Sequence, residues 1–496
     1  MARLAQIVIF GASGDLTARK LIPALLRNFA EDNFRGPIQV IGVSRTARTD
    51  DEWRNDLDSW IPDAQKEAWS RFRGLLSWKR SDSADPHQME ALQGHLDGLA
   101  LNAGHKPSEV GRLFYMALAP SLFAPTVEAL SRQGMVACEP DAAEGWRRVV
   151  VEKPFGTDLG TATALNHLLY RHLREEQIFR IDHYLGKETV QNILSLRFQN
   201  AIFEPLWNRK HVESVEISVC ETVAMEGKRG AYYDKAGASR DMLANHVLQV
   251  LALIGMEPPS SMRPDAVRNE KVKVLESLRS FTPQEVHENV VRAQYAKSES
   301  RDRSYRDEYG VAEDSRTETY MAVRALIDNW RWSGVPFLLR TGKALHKRYT
   351  EVVLRFRTPP LDLLNGPMPG DVCPLRPNDL RILIQPDEGV RLSFLVKKPG
   401  AGMIMQQSVL GFDYSDLETG PTPDAYQRLL LDAINGNPTL FIRGDEVEAA
   451  WRFVDAIRAG WEANDEPVHS YPAGSRGPDI ANELFHGCEG IWSDGP

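Results

Sequence analysis

Apolar positions in the first third of the chain form short runs, and amphipathic helical patterns lie between them. The runs have the length and the β-branched content of buried strands. They are AQIVIFG at 5–11, IQVIGVSRT at 38–46, RLFYMAL at 112–118 and RRVVVEKPFG at 147–156. Apolar residues recur at helical spacing in TARKLIPALLRNF at 17–29 and in SLFAPTVEALSRQG at 121–134, which ends near a glycine. This alternation predicts an α/β domain with a doubly wound parallel sheet.

Beyond position 177 the pattern changes to longer strands in which polar and apolar residues alternate. These strands are SVEISVCE at 214–221, HENVVRAQY at 287–295, EVVLRFR at 351–357 and LRILIQPDEGVRLSFLVK at 380–397, which turns at 386–389. Helical patterns lie among them at 239–255 and 424–434. We therefore expect an N-terminal domain over 1–177 and, over 178–496, a larger α+β domain with a mainly antiparallel sheet. The tail from YPAGSRGP at 471–478 is expected to be a surface segment rich in glycine and proline.

Composition limits the classes of function. A chain of 496 residues is too long for one core, and its 42% apolar and 26% charged residues are typical of a globular protein. A net charge of -9 argues against nucleic-acid binding. Cys138, Cys220, Cys373 and Cys488 are widely spaced, so we expect neither a metal nor a disulfide framework, and a reducing cytoplasm fits best. We expect no signal peptide and no membrane-spanning segment.

The first strand enters its helix through a glycine-containing bend, GASGDL at 11–16. Gly11 permits a tight turn, and Gly14 permits close approach of the backbone to a ligand. A bend of this kind brings backbone N–H groups and the positive end of a helix dipole together, which suits a pyrophosphate in a Rossmann-like domain. The pattern departs from G-x-G-x-x-G, so an ordinary tight turn is the alternative.

The end of the second strand bears on the choice of cofactor. Sites that prefer NAD usually have an acidic residue at this point, whereas this chain has Ser44 and Arg45. A guanidinium suits a 2′-phosphate, so we predict NADP, with NAD as a possible second acceptor. A solvated Arg45 with no ligand is the alternative.

The segment RIDHYLGKE at 180–188 is dense in polar and titratable residues, too polar for a buried helix face. On a helix, His183 and Lys187 are four residues apart and point from the same face, which suits a dianionic phosphate. Asp182 is left for another partner.

His246 lies in the apolar helical pattern at 239–255. A buried imidazole needs a hydrogen bond, and Asp182 is a candidate partner. A core histidine with its hydrogen bonds satisfied is the alternative.

Several segments, taken in order, give the chain a resemblance to a known family over nearly its whole length. They are GASGDLTARKL, RLFYMALAPS, EKPFG, RIDHYLGKE, RDMLANHVLQVLALIGMEPP, DSRTETYMAVRALIDNWRWSGVPFLLRTGKAL and DAYQRLLLDAINGNPTLFIRGDEVEAAW. The chain resembles the glucose-6-phosphate dehydrogenases. This resemblance implies oxidation of glucose 6-phosphate at its anomeric carbon to 6-phosphogluconolactone with reduction of NADP, the entry step of the oxidative pentose phosphate pathway. It also implies a homodimer or homotetramer built on the antiparallel sheet.

The resemblance assigns roles to individual residues. His246 is the implied general base, and Asp182 is the carboxylate that orients it. The implied ligands of the sugar phosphate are His183, Tyr184 and Lys187, and those of the sugar are Glu221, Asp241, Lys343, Arg348 and Gln385. The implied cofactor site comprises Gly11, Ala12, Ser13, Gly14, Asp15, Leu16, Thr17, Ala18, Arg45 and Tyr115, and Lys153 lies between cofactor and sugar. A domain-edge ion pair for Lys153 and a solvated rim charge for Arg348 are the alternatives.

Three positions depart from the family pattern. Ala244 replaces the usual glutamine, Arg476 replaces a tryptophan, and Tyr349 stands where animal enzymes have a lysine of a second, structural NADP site. The sequence therefore does not support that second site. A catalytically silent homologue and a dehydrogenase of an unphosphorylated sugar or inositol are two other functions to weigh. The general base and the phosphate ligands, respectively, argue against them.

Overall fold

The computed structural model describes residues 3–137, 145–225, 227–360, 378–416, 424–485 and 492–495. The chain divides into two compact units. The first comprises Met1–Lys187, Ser261–Arg268 and Pro423–Glu448, and the second comprises Glu188–Ser260, Asn269–Thr422 and Ala449–Pro496.

The strands of the described residues are β1 (Ala5–Phe10), β2 (Ile38–Ser44), β3 (Leu76–Arg80), β4 (Gly111–Met116), β5 (Arg147–Val151), β6 (Ile178–Ile181), β7 (Val212–Cys220), β8 (Val290–Ala296), β9 (Tyr320–Leu326), β10 (Pro336–Gly342), β11 (Tyr349–Phe356), β12 (Asp379–Gln385), β13 (Gly389–Lys397), β14 (Met405–Asp413), β15 (Phe441–Ile442) and β16 (His469–Pro472). The α-helices are α1 (Ile22–Ala30), α2 (Asp50–Asp58), α3 (Lys66–Phe72), α4 (Pro86–Asn102), α5 (Phe123–Arg132), α6 (Leu159–His172), α7 (Glu188–Phe198), α8 (Gly230–Ala238), α9 (Leu248–Gly255), α10 (Pro264–Glu276), α11 (Pro283–Asn289), α12 (Ala425–Asn435) and α13 (Gly444–Ala463). Two π-helical segments, Thr17–Leu21 and Ser239–Val247, lead into α1 and α9.

The sheet of the first unit has the order β15-β6-β5-β4-β1-β2-β3. All of its pairs are parallel except β15 with β6. Strands β1 and β4 are buried throughout, as expected for central strands covered on both faces. The order β3-β2-β1-β4-β5-β6 is that of a Rossmann fold, so the predicted doubly wound parallel sheet is confirmed.

The first unit continues past the boundary expected at 177. Strand β6 follows that position and pairs in parallel with β5, which keeps the chain in the sheet. The helix expected at 424–434 in the second domain was assigned to the wrong unit, because α12 belongs to the first. Asn28 of α1 donates to the carbonyl of Gln427 over 2.8 Å, and Arg148 donates to the carbonyl of Ala433 over 3.0 Å.

The sheet of the second unit has the order β14-β13-β12-β11-β7-β10-β9-β8-β16. Only β7 with β10 and β8 with β16 are parallel among the described pairs, so the predicted mainly antiparallel sheet is confirmed. Strands β12 and β13 form the predicted hairpin around 386–389. The predicted helix at 239–255 is also present and largely buried.

Two expectations for the second unit are wrong. The segment 287–295 does not begin as a strand, because its first residues complete α11, which starts from a capping box at Thr282 and Glu285. The tail at 471–478 is not a mere surface segment, because β16 pairs with β8 and the Tyr471 side chain is buried, donating to the carbonyl of Lys343 over 2.7 Å.

Two further expectations concern membrane helices and cysteines. No helix in the part of the chain that the structure describes is long and apolar enough to cross a membrane. Cys220 is a free, buried thiol, whereas Cys138, Cys373 and Cys488 lie outside the described residues.

Candidate functional site

The bend after β1 requires glycine at its first position. Gly11 has φ +81°, and a Cβ atom there would lie 2.0 Å from the carbonyl oxygen of Ala117, which follows β4. Strands β1 and β4 are neighbours at the point where the strand order reverses, which is where Rossmann domains bind nucleotides. The missing side chain therefore lets the chain after β4 pack directly against the bend, at the expected cofactor end of the sheet.

Most N–H groups of the bend itself are already used within the protein. Those of Gly11 and Ala12 donate to the carbonyl of Val43, and that of Gly14 donates to the carbonyl of Gly11. The helix begins at Asp15, and the first N–H groups of a helix have no partner within it. The N–H of Ala18 donates to the carbonyl of Gly14 over 3.4 Å, so the donors available to a phosphate are those at 15–17.

The side chains around this helix start are open to solvent. Ser13, Asp15 and Arg45 are exposed, and the hydroxyl of Ser13 lies 3.1 Å from that of Ser44 at the end of β2. Arg45 follows directly, so its guanidinium extends from the same edge of the sheet. Ser13, Ser44 and Arg45 therefore lie close together after β1 and β2.

Tyr115 and Lys153 meet at a carboxylate that the sequence analysis did not single out. The Tyr115 hydroxyl is buried and donates to Glu152 over 2.5 Å, and the hydroxyl of Tyr426 donates to the same oxygen over 3.3 Å. Burial raises the pKa of the Glu152 carboxyl, against the opposing effect of the two hydroxyl donors and of Lys153. The sequence did offer one sign of this residue, because Glu152 directly follows the three valines of a buried strand.

The expectation of a helix over 180–188 is wrong. Strand β6 ends at Ile181, turns follow at 183–186, and α7 begins only at Glu188. Asp182 starts the turns, because its side chain accepts from the N–H of Tyr184 over 2.9 Å and its carbonyl accepts from the N–H of Leu185 over 3.1 Å. The i, i+4 geometry argued for His183 and Lys187 therefore does not apply.

The same segment is also more buried than its polarity suggested. Asp182 and Arg180 are each 1% exposed. Arg180 can be buried because it donates to Glu175 and to Asn166, each over 2.9 Å. The segment was expected to be exposed because of its charged residues. That expectation did not allow for partners inside the protein, which make burial of a charged group possible.

His183 and Lys187 are nevertheless brought together around the ring of Tyr184. The rings of His183 and Tyr184 have centroids 5.1 Å apart, and the Lys187 ammonium lies 4.5 Å from the Tyr184 centroid. His183 and Lys187 keep partial exposure, whereas Tyr184 is buried. The turns thus gather the three predicted phosphate ligands without a helix.

In the second unit, the ends of two parallel strands bring a predicted pair together. Glu221 follows β7 and Lys343 follows β10, and their charged groups are 2.5 Å apart. The backbone supports this pair, because the N–H of Glu221 donates to the carbonyl of Gly342 over 2.9 Å. The pair is partly buried, so its charges are screened less than those of a surface ion pair.

Tyr233 is a polar residue beside this pair that the sequence analysis missed. The Lys343 ammonium lies 5.1 Å from the centroid of the Tyr233 ring. The Tyr233 hydroxyl is buried and has no hydrogen-bond partner among the described residues. Burial raises the pKa of this hydroxyl, and the carboxylates of Asp241 and Glu318 raise it further, so it remains a donor. Hydrophobic periodicity could not single out Tyr233, because it is one of two adjacent tyrosines in GAYYDKAG.

Arg348 and Gln385 lie at the same edge of the sheet as Glu221 and Lys343. Strand β11 runs antiparallel to both β7 and β12, so its start adjoins their ends. Gln385 donates to the hydroxyl of Thr350 over 2.9 Å, and Arg348 is exposed. Asp241 is partly exposed near the start of the π-helical segment, and His246, near its end, is 1% exposed.

Two family models match the chain. A model described as "Glucose-6-phosphate dehydrogenase, NAD binding domain" matches residues 8–192, and one described as "Glucose-6-phosphate dehydrogenase, C-terminal domain" matches residues 194–493. The chain belongs to the glucose-6-phosphate dehydrogenase family.

Individual members of the family match over nearly the whole chain. The glucose-6-phosphate 1-dehydrogenase of Aggregatibacter actinomycetemcomitans is 43% identical, over 98% of this chain and 96% of its own. That of Bacillus subtilis is 39% identical, over 97% and 96%. A solved structure described as glucose-6-phosphate dehydrogenase in complex with its substrate glucose-6-phosphate is 33% identical, with a TM-score of 0.88 and 99% coverage of both chains.

The three residues that depart from the glucose-6-phosphate dehydrogenase pattern differ in their burial. Ala244 is buried in the π-helical segment, and Arg476 is exposed and pairs with Asp494 over 2.5 Å. Tyr349 is fully buried, and its hydroxyl donates to the carbonyl of Ser493 over 2.7 Å. The residue that stands in place of the lysine is therefore part of the core.

Proposed function

We propose that this chain oxidises glucose 6-phosphate at its anomeric carbon to 6-phosphoglucono-1,5-lactone, with NADP as the acceptor, as the first step of the oxidative pentose phosphate pathway. The observation that carries the proposal is the full-length similarity to a solved family member described with glucose 6-phosphate as its substrate. The local geometry agrees, since both compact units present clusters of the residue types that this chemistry needs.

His246 is the proposed general base. When the bond to hydrogen at the anomeric carbon breaks, the proton on the anomeric hydroxyl must go to a group with a pKa near the working pH, and imidazole is such a group. Asp182 is the proposed partner that orients the ring and stabilises its charged form. Support for these roles comes from the burial of both side chains and from the family resemblance.

The phosphate and the sugar have separate proposed ligands. His183, Tyr184 and Lys187 cluster around one ring and offer two nitrogens and a hydroxyl to a phosphate. The proposed ligands of the sugar hydroxyls are the Glu221–Lys343 pair, Asp241, Arg348 and Gln385. Together they provide hydrogen-bond donors and acceptors near one edge of the second sheet. Lys153, after β5, is proposed to lie between sugar and cofactor.

NADP is the proposed cofactor, and it supplies the nicotinamide that accepts the hydride. The tight turn at Gly11, together with the N–H groups at the helix start, 15–17, suits its pyrophosphate. Arg45 fits its 2′-phosphate, and NAD is a weaker second acceptor. The N-terminal domain, expected over 1–177, is proposed to bind the cofactor, and the remainder, 178–496, to bind the sugar and to dimerise.

Two further proposals concern assembly and location. Apolar side chains exposed along β14, at the edge of the second sheet, support a homodimer or a dimer of dimers built on that sheet. The widely spaced cysteines support a reducing cytoplasm.

The reaction is tested by following the absorbance of reduced cofactor with purified protein. Glucose 6-phosphate and free glucose are each offered with NADP and with NAD. We expect the highest kcat/KM for glucose 6-phosphate with NADP. Equal rates with free glucose would favour a dehydrogenase of unphosphorylated sugars, and the absence of turnover in every combination would favour a catalytically silent homologue.

His246→Asn tests the base. General acid–base catalysis contributes roughly 10²–10⁴-fold, so kcat is expected to fall by about that factor while KM for glucose 6-phosphate changes little. His211→Asn, at an exposed position, is the control and keeps the wild-type rate. A near-normal kcat in His246→Asn would remove this residue from the mechanism.

A further inference from the structure

A cavity in the second unit is lined by an unusual number of arginines. It encloses about 380 Å³, within the range of sites for small molecules. Its walls include the guanidinium-bearing side chains of Arg240, Arg292, Arg316 and Arg458, together with Trp461. The wall also contains Glu318, Glu462 and Asp465, so its balance is slightly positive in a chain whose net charge is -9.

Two buried donors in the cavity wall lack a partner. Arg292 is 8% exposed, and its Nε has no hydrogen-bond partner among the described residues. Trp461 is 3% exposed, and its Nε1 also has no partner among the described residues. The Arg292 guanidinium lies over the Trp461 ring, 4.8 Å from the ring centroid. Buried donors are nearly always satisfied, so two in one wall indicate a missing acceptor.

The four arginines of the wall outnumber its three carboxylates by one. Asp465 pairs with Arg316, Glu318 accepts from the N–H of Ser239 over 2.8 Å, and Glu462 is exposed. Burial lowers the pKa of the Arg292 guanidinium, and the charges of Arg316 and Arg458 lower it further, against the effect of Glu318 and Glu466. A bound anion would relieve the repulsion between these three arginines.

We propose that this cavity binds a small organic phosphate that carries more than one negative charge. Guanidinium groups recognise phosphate oxygens through paired N–H donors, and the arginines here present several such groups. The volume exceeds the need of a single phosphate ion, so the ligand is an organic phosphate such as a nucleotide or a sugar bisphosphate.

The cavity adjoins the helix that carries Asp241 and His246. Arg458 donates to the hydroxyl of Ser239 over 3.3 Å, and Arg240 directly precedes Asp241. Occupancy of the cavity would therefore restrain the start of that helix, which makes the ligand an effector of the sugar pocket and not a substrate.

The test is calorimetric titration of the full chain with inorganic pyrophosphate at constant ionic strength. Glucose 6-phosphate and NADPH are present at saturation, because these two occupy the proposed active site and cannot react with each other. Wild type is compared with Arg458→Gln and Arg316→Gln. The control is Arg452→Gln, an exposed arginine on the same helix as Arg458 that does not line the cavity.

We expect the Kd for pyrophosphate to rise about tenfold or more in Arg458→Gln and Arg316→Gln and to stay at the wild-type value in Arg452→Gln. Identical isotherms in all four proteins, or equal affinity for sulfate and pyrophosphate, would overturn the proposal. ADP and fructose 1,6-bisphosphate then separate a nucleotide from a sugar phosphate. Binding of either with the same variant pattern supports the proposal, and binding of neither overturns the assignment to an organic phosphate.

The titration does not depend on the proposed reaction. It compares variants of one cavity and reads heat of binding, not turnover. A chain that fails to oxidise glucose 6-phosphate could still show the expected difference between Arg458→Gln and Arg452→Gln, so the two proposals fail separately.

Discussion

Gly11 illustrates how much one backbone position contributes to the nucleotide end of the sheet. Its φ of +81° and the contact that a Cβ would make with Ala117 both exclude a side chain. Gly104 has nearly the same φ, +80°, but open space around it. A substitution at Gly104 therefore adds backbone strain alone, whereas one at Gly11 adds strain and a steric clash.

We expect Gly11→Ala to lower the free energy of unfolding by more than the roughly 1 kcal/mol that positive-φ strain costs, and to weaken NADP binding. Gly104→Ala should show the strain alone and bind NADP normally. Chemical denaturation and cofactor titration measure the two effects. Equal losses of stability in the two variants would mean that the contact with Ala117 relaxes freely.

Tyr233 allows the sugar pocket to be tested through a single hydroxyl. In Tyr233→Phe no protein hydrogen bond seen in the described residues is lost, so thermal stability should hold. If the hydroxyl donates to the sugar, KM for glucose 6-phosphate should rise about 2- to 10-fold, the value of one neutral hydrogen bond.

Tyr305→Phe is the matched control for Tyr233→Phe. The Tyr305 hydroxyl donates to Asp234 over 2.9 Å, so its loss should cost about 1 kcal/mol of stability and leave KM unchanged. An unchanged KM in Tyr233→Phe would leave its hydroxyl a buried donor with no part in sugar binding.

At the scale of elements, α11 is linked to the chain that follows α13 by a titratable pair. Nδ1 of His287 lies 2.7 Å from a carboxylate oxygen of Glu466. The hydrogen bond with Glu466 raises the pKa of His287, and the charge of Glu466 raises it further. A raised histidine pKa stabilises the fold fully below the unfolded value of about 6.5, and this stabilisation is lost as pH rises through the folded value.

Wild type should therefore exceed His287→Gln in Tm at pH 5.5, and the difference should shrink by pH 9. Scanning calorimetry at the two values measures it. The opposite trend, with a larger difference at pH 9, would contradict the assigned pair.

Elements also show where local pattern reading failed. The segment 182–187 was read as a helix from its polarity, and the end of α11 was read as part of a strand from alternation. The side chain of Asp182 bonds to the N–H of Tyr184, and Thr282 caps α11 through the N–H of Glu285. Side-chain bonds of this kind compete with regular structure and leave little trace in hydrophobic periodicity.

At the scale of the molecule, β14 presents an apolar surface at the edge of the second sheet. Val409 and Leu410 are exposed, Leu410 to 62%, and Ile404 precedes the strand with similar exposure. An exposed edge strand with apolar residues is a site for association.

We expect Leu410→Asp to weaken self-association at least tenfold, and Gln407→Asp, which places the same charge at an exposed polar position of β14, to change it little. Sedimentation velocity over a range of concentrations measures both. An unchanged oligomer in Leu410→Asp would move the interface away from β14.

The sequence by itself determined the two sheets and the residue types of the site. Strands buried on both faces have near-continuous apolar sequences, and half-buried strands have alternating polar and apolar residues. Both kinds of strand could therefore be predicted from the sequence. The family motifs carried the proposed roles of Asp182, His246 and Lys187.

Only the tertiary structure decided which elements share a unit and which side chains meet. That α12 packs on α1, that Tyr471 is buried, and that Glu221 reaches Lys343 depend on contacts between residues far apart in the chain. The arginines of the cavity likewise come from α13 and from segments near 240, 292 and 316. Periodicity records the burial of an element but not its partner, because the partner is chosen by packing and by hydrogen bonds that form only in the folded chain.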